Sequence, residues 1–281
     1  MLYTRHPTSG RIRNISMTQP PRTFDAEHNL GYRNLIVSGC SFTNNFNPEH
    51  VHTWPYYLRD LGGFEQVWDG SCAGAGNNHI ARSIVSLIEL GDFDPAETLV
   101  VVMWSGYDRD DFLVDPKVLD SSQPDHYSYT NNVSLGMTGG LLGDGNLIVN
   151  VENLKKIKNP PSRALENYVI IQSLAGYLDA HGFRYVFTEF STPGQMKDTN
   201  FDPVPHLPTK LQQSFVHLVR GLTPNLGDWA LPEIKQNKQG DGYHPDADQH
   251  LSWTRSVLLP YVMQTLEIFH CASRSNSDKN L

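Results

Sequence analysis

Two short segments near opposite ends of the chain carry residues that together can perform nucleophilic chemistry. Ser41 stands in the run Gly-Cys-Ser-Phe-Thr, and Asp241 and His244 stand in the run Asp-Gly-Tyr-His-Pro. A serine hydroxyl becomes a useful nucleophile when a histidine takes its proton and a carboxylate orients that histidine. The segments lie about two hundred residues apart, so the prediction requires a fold that brings them together.

Both segments also have a purely structural interpretation. Gly-x-Ser-x-Thr is a common strand-to-helix turn because Ser and Thr cap helices well, and Asp-x-x-His-Pro occurs as a plain helix entry. Cys40, next to Ser41, is an alternative nucleophile. We interpret Cys40 and Cys72 instead as small apolar residues in tight spaces. The chain has three cysteines, an odd number that does not make a disulfide framework.

The order of the motifs resembles that of the SGNH (GDSL-like) hydrolases. Ser41 falls at that family's nucleophile position, and the run Ala-Gly-Ala-Gly-Asn-Asn-His from Ala73 is similar to its second block. The resemblance implies a serine esterase in which His244 is the base, Asp241 orients it, and the N–H groups of Ser41 and Gly76 hold the oxyanion. The Gly-Cys-Ser-Phe-Thr opening is most similar to a branch found in bacteria and their phages.

The third block departs from the family pattern of Gly-x-Asn-Asp. Asp108 stands where the family has an oxyanion-binding asparagine, or Tyr107 does if the alignment slips by one residue. An ionised Asp cannot donate a hydrogen bond, and losing one oxyanion donor costs about 100- to 1,000-fold in rate. The candidate substitutes are Asn78, Ser105, Tyr107 and Arg109, and the persistent charge of Arg109 favours it. Alternatively, Asp108 and Arg109 form a surface ion pair.

The expected substrate is a small acyl ester, with an O-acetyl group on a glycan as one example. Tyr107, Asp108 and Tyr243 adjoin the proposed donors and base and are predicted to contact it. Net charge is −8 and no Lys/Arg-rich run occurs, which argues against nucleic-acid and anionic-membrane partners. The chain's twelve histidines invite a metal interpretation, but their spacing is more typical of solvated or packing residues, so we expect no metal and no cofactor.

Two other classes of function stay open. One is a carbohydrate-binding or structural protein of the same fold whose catalysis has decayed, a hypothesis motivated by the altered third block. The other is a nucleotide binder that uses Gly74 and Gly76 at a helix start. It lacks the third glycine of the dinucleotide fingerprint, where His79 stands, and it lacks a Gly-Lys-Ser/Thr run.

Alternating apolar segments predict the elements that must position these residues. The predicted strands are 34–38, 65–68, 98–103 and 183–187, and the predicted helices are 54–61, 79–90, 162–180, 210–219 and 247–268. Strands that alternate with helices imply an α/β three-layer sandwich with a mostly parallel sheet, the flavodoxin-like SGNH fold. Ser41, Gly76 and Asp108 each follow a predicted strand closely, and sites in such sheets form at the carboxyl ends of the strands.

The predicted organisation is a flexible N-terminal arm over 1–30, one hydrolase domain over 31–270 and a polar tail over 271–281. An Asp-, Asn-, Ser- and Gly-rich insertion at about 113–160 is too long for a structureless loop and is predicted to be a β-hairpin excursion. The first thirty residues lack the apolar core of a signal peptide. We therefore expect a cytoplasmic protein, or a virion-associated one if a phage encodes it.

Overall fold

The computed structural model describes residues 2–5, 12–15, 22, 25–44, 53–72, 74–107, 109–113, 132–136, 141–142, 159–195, 201–234 and 244–267. The strands of these residues are β1 (Leu2–Arg5), β2 (Ile12–Ile15), β3 (Asn34–Ser38), β4 (Gln66–Asp69), β5 (Thr98–Trp104), β6 (Arg109–Leu113), β7 (Asn132–Gly136), β8 (Leu141–Leu142) and β9 (Arg184–Glu189). The α-helices are α1 (Trp54–Gly62), α2 (Asn77–Leu90), α3 (Pro160–Ala180), α4 (Thr209–Val219), α5 (Leu226–Ile234) and α6 (Ala247–Trp253). Helix α6 continues through a π-helical turn, Thr254–Leu258, to residue 267.

The central sheet has four parallel strands in the order β4-β3-β5-β9. Strand β5 reads Thr-Leu-Val-Val-Val-Met-Trp, and every one of its residues is buried. An unbroken apolar run of this kind is typical of a central parallel strand that is covered on both faces. The predicted α/β fold with a mostly parallel sheet is confirmed.

Helices cover both faces of this sheet, which makes three layers. Leu35 and Val37 of β3 point to the face covered by α1 and the C-terminal helix, together with Trp54 and Trp253. Ile36, between them, points to the face covered by α2, α3 and α4, where Phe215 packs. The alternation follows from the two-residue period of a strand.

The strand order places a crevice between β3 and β5. Counted along the chain, the four parallel strands lie in the order second, first, third, fourth, so connections from the first and third strands run to opposite sides. In open α/β sheets, ligands bind at this switch point, beyond the carboxyl ends of the strands. The segments after β3 and β5 are those that contain Ser41 and Ser105.

Two helices differ from the prediction in more than a shift of one or two residues at an end or in a way that concerns the site. Helix α2 begins at Asn77, with Gly76 as its N-cap residue, rather than at residue 79 as predicted. Helix α5 was not predicted, because Gly227 and Pro232 make its sequence look like a loop. Helix α1 ends as expected, since Gly63 takes the left-handed conformation (φ +80°) that only glycine adopts without strain.

Two smaller antiparallel sheets lie outside the central one. Strands β1 and β2 pair within the predicted N-terminal arm, and β6, β7 and β8 form a three-stranded sheet that starts just after the third block. The boundaries proposed for the arm, the insertion and the tail stay predictions. Among the helices that the structure describes, none is long and apolar enough to cross a membrane.

Candidate active site

Ser41 and His244 meet at the carboxyl end of β3. Ser41 lies in the turn after that strand, and His244 lies just before α6, whose N-terminus is fixed by a capping box between Asp246 and Gln249. The Nε2 atom of His244 is 2.8 Å from Oγ of Ser41. Both side chains are partly exposed, so the pair combines hydrogen-bonding geometry with access for a substrate.

Aromatic rings pack in series from this pair toward the third block. The ring of Phe42 is 5.2 Å from the imidazole of His244 and 4.8 Å from the ring of Phe190, measured between centroids. The guanidinium of Arg109 lies 5.8 Å from the centroid of Phe190. This chain of contacts connects the Ser41 side of the crevice with the third block.

A second histidine near His244 has a structural role. His250 is buried, and burial lowers its pKa to about 3, with the charge of His244 as a further cause. Its Nδ1 accepts a hydrogen bond of 3.3 Å from the backbone N–H of Trp54, the first residue of α1. The neutral imidazole of His250 therefore helps to cap α1.

The structure pairs two of the predicted oxyanion donors. Arg109 is only 6% exposed, so it is not part of a surface ion pair, and that alternative is wrong. Its Nη1 donates to Oγ of Ser105 at 2.8 Å and contacts the carbonyl oxygen of Ala75 at 3.4 Å. Its Nε is buried without a hydrogen-bond partner among the described residues.

Two buried asparagines hold the segment that carries this pair. Asn77 accepts from the backbone N–H of Ser105 at 2.8 Å and donates to Asn167 at 2.9 Å. Asn167 in turn donates to the carbonyl oxygens of Tyr107 and Arg163, each at 3.0 Å. Neither asparagine was among the predicted site residues. The helical period did carry a signal, because Asn77 shares the buried face of α2 with Ile80 and Ile84.

The predicted donor Gly76 already has a partner. Its backbone N–H donates to Oδ1 of Asp111 at 2.9 Å, and the N–H of His79 donates to Oδ2 at 2.7 Å. Asn78, another predicted donor, is exposed as the second residue of α2. Asp111 was not among the predicted site residues, because its distance along the chain from Gly76 hides the contact.

Tyr107 faces the interior rather than the crevice. It is 3% exposed, and its hydroxyl donates to Glu189 at the end of β9. Burial and the neighbouring Glu189 raise the pKa of Tyr107 well above its usual value. Arg220 donates to the same carboxylate from Nε at 2.9 Å and to Asp202 from Nη2 at 2.8 Å. This environment favours a structural role for Tyr107 over the predicted contact with substrate.

Three predicted residues, Asp241, Tyr243 and Asp108, lie outside the described residues. Cys40 is fully buried while its neighbour Ser41 is partly exposed, so the geometry favours the hydroxyl over the thiol as nucleophile. Within the described ranges, no group of three or more His, Cys, Asp or Glu side chains is arranged to hold a metal ion.

Comparisons with known proteins give fold neighbours of low identity. A G-D-S-L family protein from Desulfitobacterium hafniense, described as lipolytic, is 9% identical with a TM-score of 0.44, over 83% of this chain and 99% of that one. TesA is 14% identical with a TM-score of 0.42, over 83% and 97%. A carbohydrate esterase with catalytic and non-catalytic binding functions is 11% identical with a TM-score of 0.41, over 85% and 69%. No family model and no curated protein matches the chain.

Proposed function

We propose that this protein is a serine ester hydrolase with Ser41 as nucleophile and His244 as general base. The observation that carries the proposal is the 2.8 Å contact between Oγ of Ser41 and Nε2 of His244, formed at the switch point of the parallel sheet by residues far apart in sequence. Hydrogen-bonded Ser-His pairs are the activating unit of serine hydrolases on several unrelated folds.

The proposed reaction has two halves. Oγ of Ser41 forms a bond to the ester carbonyl carbon while its proton passes to His244. The tetrahedral intermediate then expels the alcohol, which takes that proton and leaves an acyl-serine. A water molecule then gives a proton to His244 and attacks the acyl carbon. The bond from that carbon to Oγ of Ser41 breaks, Oγ takes the proton back from His244, and the acid is released. Asp241, three residues before His244, is the proposed carboxylate that orients the imidazole.

Ser105 and Arg109 are the proposed side-chain donors to the oxyanion. A guanidinium has only donors, so Oγ of Ser105 accepts in its bond with Arg109 and that bond does not use the hydroxyl hydrogen. The hydrogen of Ser105 can therefore point to the oxyanion, while the charge of Arg109 strengthens it as a donor. This pair would replace the asparagine that the third block lacks, and the N–H of Ser41 would be the backbone donor.

The proposed substrate is a small, polar acyl ester such as an O-acetylated sugar. The net charge of −8 disfavours approach to anionic lipid surfaces. The cytoplasmic or virion-associated location, the phage or bacterial branch and the absence of nucleic-acid and membrane partners stay proposals.

A binding protein with decayed catalysis is the second candidate. The observation that favours it is the engagement of the Gly76 N–H by Asp111, because a backbone oxyanion donor that holds a carboxylate cannot at the same time hold an oxyanion. A protein of this kind would bind an acylated glycan without hydrolysing it.

Labelling with a fluorophosphonate, followed by turnover of short-chain nitrophenyl esters and acetylated sugars, separates the two candidates. We expect the wild type to be labelled at Ser41 and to release acetate. Ser41→Ala should abolish labelling and lower turnover by about 10⁴-fold or more, because the Ser-His unit acts cooperatively. Ser191→Ala is the matched control, since Ser191 is a buried serine whose hydroxyl bonds Asp228 on α5. Equal turnover in Ser41→Ala and the wild type would disprove the hydrolase assignment.

A further inference from the structure

Helix α2 is capped by a residue from a different part of the chain. Its N-cap residue is Gly76, which has no side chain to bind the first N–H groups. The carboxylate of Asp111, on β6, instead accepts from the N–H groups of Gly76 at 2.9 Å and His79 at 2.7 Å. A capping box satisfies the same two positions, N-cap and N3, with two local side chains. Here one remote carboxylate satisfies both.

The absence of a side chain at Gly76 is what lets the carboxylate come so close. A Cβ atom built on Gly76 would lie 2.7 Å from Oδ2 of Asp111 and 3.0 Å from its Cγ. The backbone of Gly76 has φ −91°, which any residue can adopt, so the glycine is needed for the approach and not for the conformation.

Gly76 also adjoins the proposed oxyanion donors. The residue before it, Ala75, contacts Arg109 through its carbonyl oxygen, and the residue after it, Asn77, holds the backbone N–H of Ser105. An N–H bound to a carboxylate is unavailable to an oxyanion, and the negative charge of Asp111 opposes the charge that develops in the transition state.

We propose that Asp111 is a positioning residue that withholds the Gly76 N–H from the oxyanion. While Asp111 binds the Gly76 N–H, the donors left for the oxyanion are the N–H of Ser41 and the Ser105–Arg109 pair. Movement of the Asp111 carboxylate frees the Gly76 N–H as one further donor. This inference rests on the proposed hydrolase activity and adds a control on its rate. The Asp111 carboxylate competes with the oxyanion for the hydrogen bond from the Gly76 N–H.

Asp111→Ala and Asp111→Asn test the inference with the full-length protein and p-nitrophenyl acetate. Asp111→Ala should raise kcat, by up to the roughly 100- to 1,000-fold that one oxyanion donor contributes, while its melting temperature falls because the α2 cap is lost. Asp111→Asn keeps an acceptor for the cap without the charge, so its kcat should rise less and its melting temperature should stay closer to that of the wild type.

The control is Asn159→Ala, which removes the cap of α3 that Asn159 provides to the N–H of Ser162. It should lower the melting temperature and leave kcat unaltered. A purely structural role for Asp111 predicts the same behaviour for Asp111→Ala, and a kcat that does not rise in either Asp111 variant overturns the inference.

The rate of fluorophosphonate labelling separates this inference from the activity on which it rests. Faster labelling of Asp111→Ala than of the wild type at Ser41 supports both. Equal labelling rates refute the role of Asp111 and keep the hydrolase. No labelling of either protein means that the proposed hydrolase activity itself is wrong.

Discussion

At the amino end of the central sheet charged side chains form ion pairs in water, whereas at the carboxyl end charged side chains are buried. Arg33, just before β3, forms ion pairs of 3.2 Å with Glu65 and Glu97, and these three side chains are 45–60% exposed. At the other end, Arg109 is 6% exposed and Glu189 is 2% exposed. Arg and Glu side chains are therefore solvated at one end of the sheet and buried at the other.

The difference in solvation decides what each end of the sheet can do. Exposed ion pairs contribute little, since water and salt screen them. A buried charge that loses its partner leaves an uncompensated ion in the interior, so the carboxyl end depends on the hydrogen bonds that Arg109 and Glu189 make. A site of that kind can hold donors at fixed positions, which is what stabilisation of a developing charge requires.

The largest effect after loss of Ser41 should come from Arg109→Ala. We expect kcat to fall by about 100- to 1,000-fold, the contribution of one oxyanion donor, with a smaller change in KM because the contact matters mainly in the transition state. Steady-state kinetics with p-nitrophenyl acetate, on protein shown to be folded by circular dichroism, measure this. Arg33→Ala, at the opposite end of the sheet, should leave kcat unaltered. An unaltered kcat in Arg109→Ala would show that Arg109 is not an oxyanion donor.

Tyr107→Phe tests how much a buried hydrogen bond at the carboxyl end of the sheet contributes to stability. It removes the hydroxyl that donates to Glu189, and burial already raises the pKa of that carboxyl group. We expect the free energy of unfolding to fall by about 1–3 kcal/mol, measured by urea denaturation. The matched control is Tyr177→Phe, which removes a 2.6 Å bond to Glu89 at the surface and should cost less than about 1 kcal/mol. Equal costs for the two variants would show that burial is not what matters.

His250→Asn tests a buried base in the same region. The pKa of His250 is about 3 in the folded protein, against about 6.5 for an ordinary histidine. Between these values the unfolded chain binds a proton that the folded protein does not, so this contribution to stability is present above about pH 6.5 and is lost as pH falls toward 3. The slope approaches about 1.4 kcal/mol per pH unit.

Urea denaturation of the wild type and His250→Asn from pH 7.5 down to pH 4.5 measures that slope. We expect the wild type to lose stability faster than the variant as pH falls. His206→Asn, which changes an exposed histidine, should follow the wild type. Parallel curves for the wild type and His250→Asn would contradict the assignment of a buried, neutral imidazole.

Arg33→Ala should have the smallest effect on stability. The two exposed ion pairs together should contribute less than about 1 kcal/mol at low salt and less at high salt. Urea midpoints at two salt concentrations measure the contribution. A loss of about 2 kcal/mol or more would mean that the amino end also depends on its charges.

Local patterns were sufficient for most of the fold. The buried strands β3 and β5 follow from continuous apolar runs, and the apolar face of α2 follows from a period of 3.6 residues. Any stretch of chain shows such patterns by itself. The paired glycines after Leu61 mark the end of α1 for a local reason as well. Helix α5 was missed because Gly227 and Pro232 oppose a helix locally, while Leu226 and Ala230 are buried in the tertiary structure.

The sequence by itself determined the identities of the candidate nucleophile and base, because Ser41 and His244 stand in short motifs with recognisable neighbours. Only the tertiary structure decided which donors surround them. Arg109 turned out to be buried against Ser105, Tyr107 faces Glu189, and the cap of α2 comes from Asp111, 35 residues after Gly76. A motif records residues that are adjacent in the chain, whereas a hydrogen bond depends on distances that exist only after distant segments have packed together.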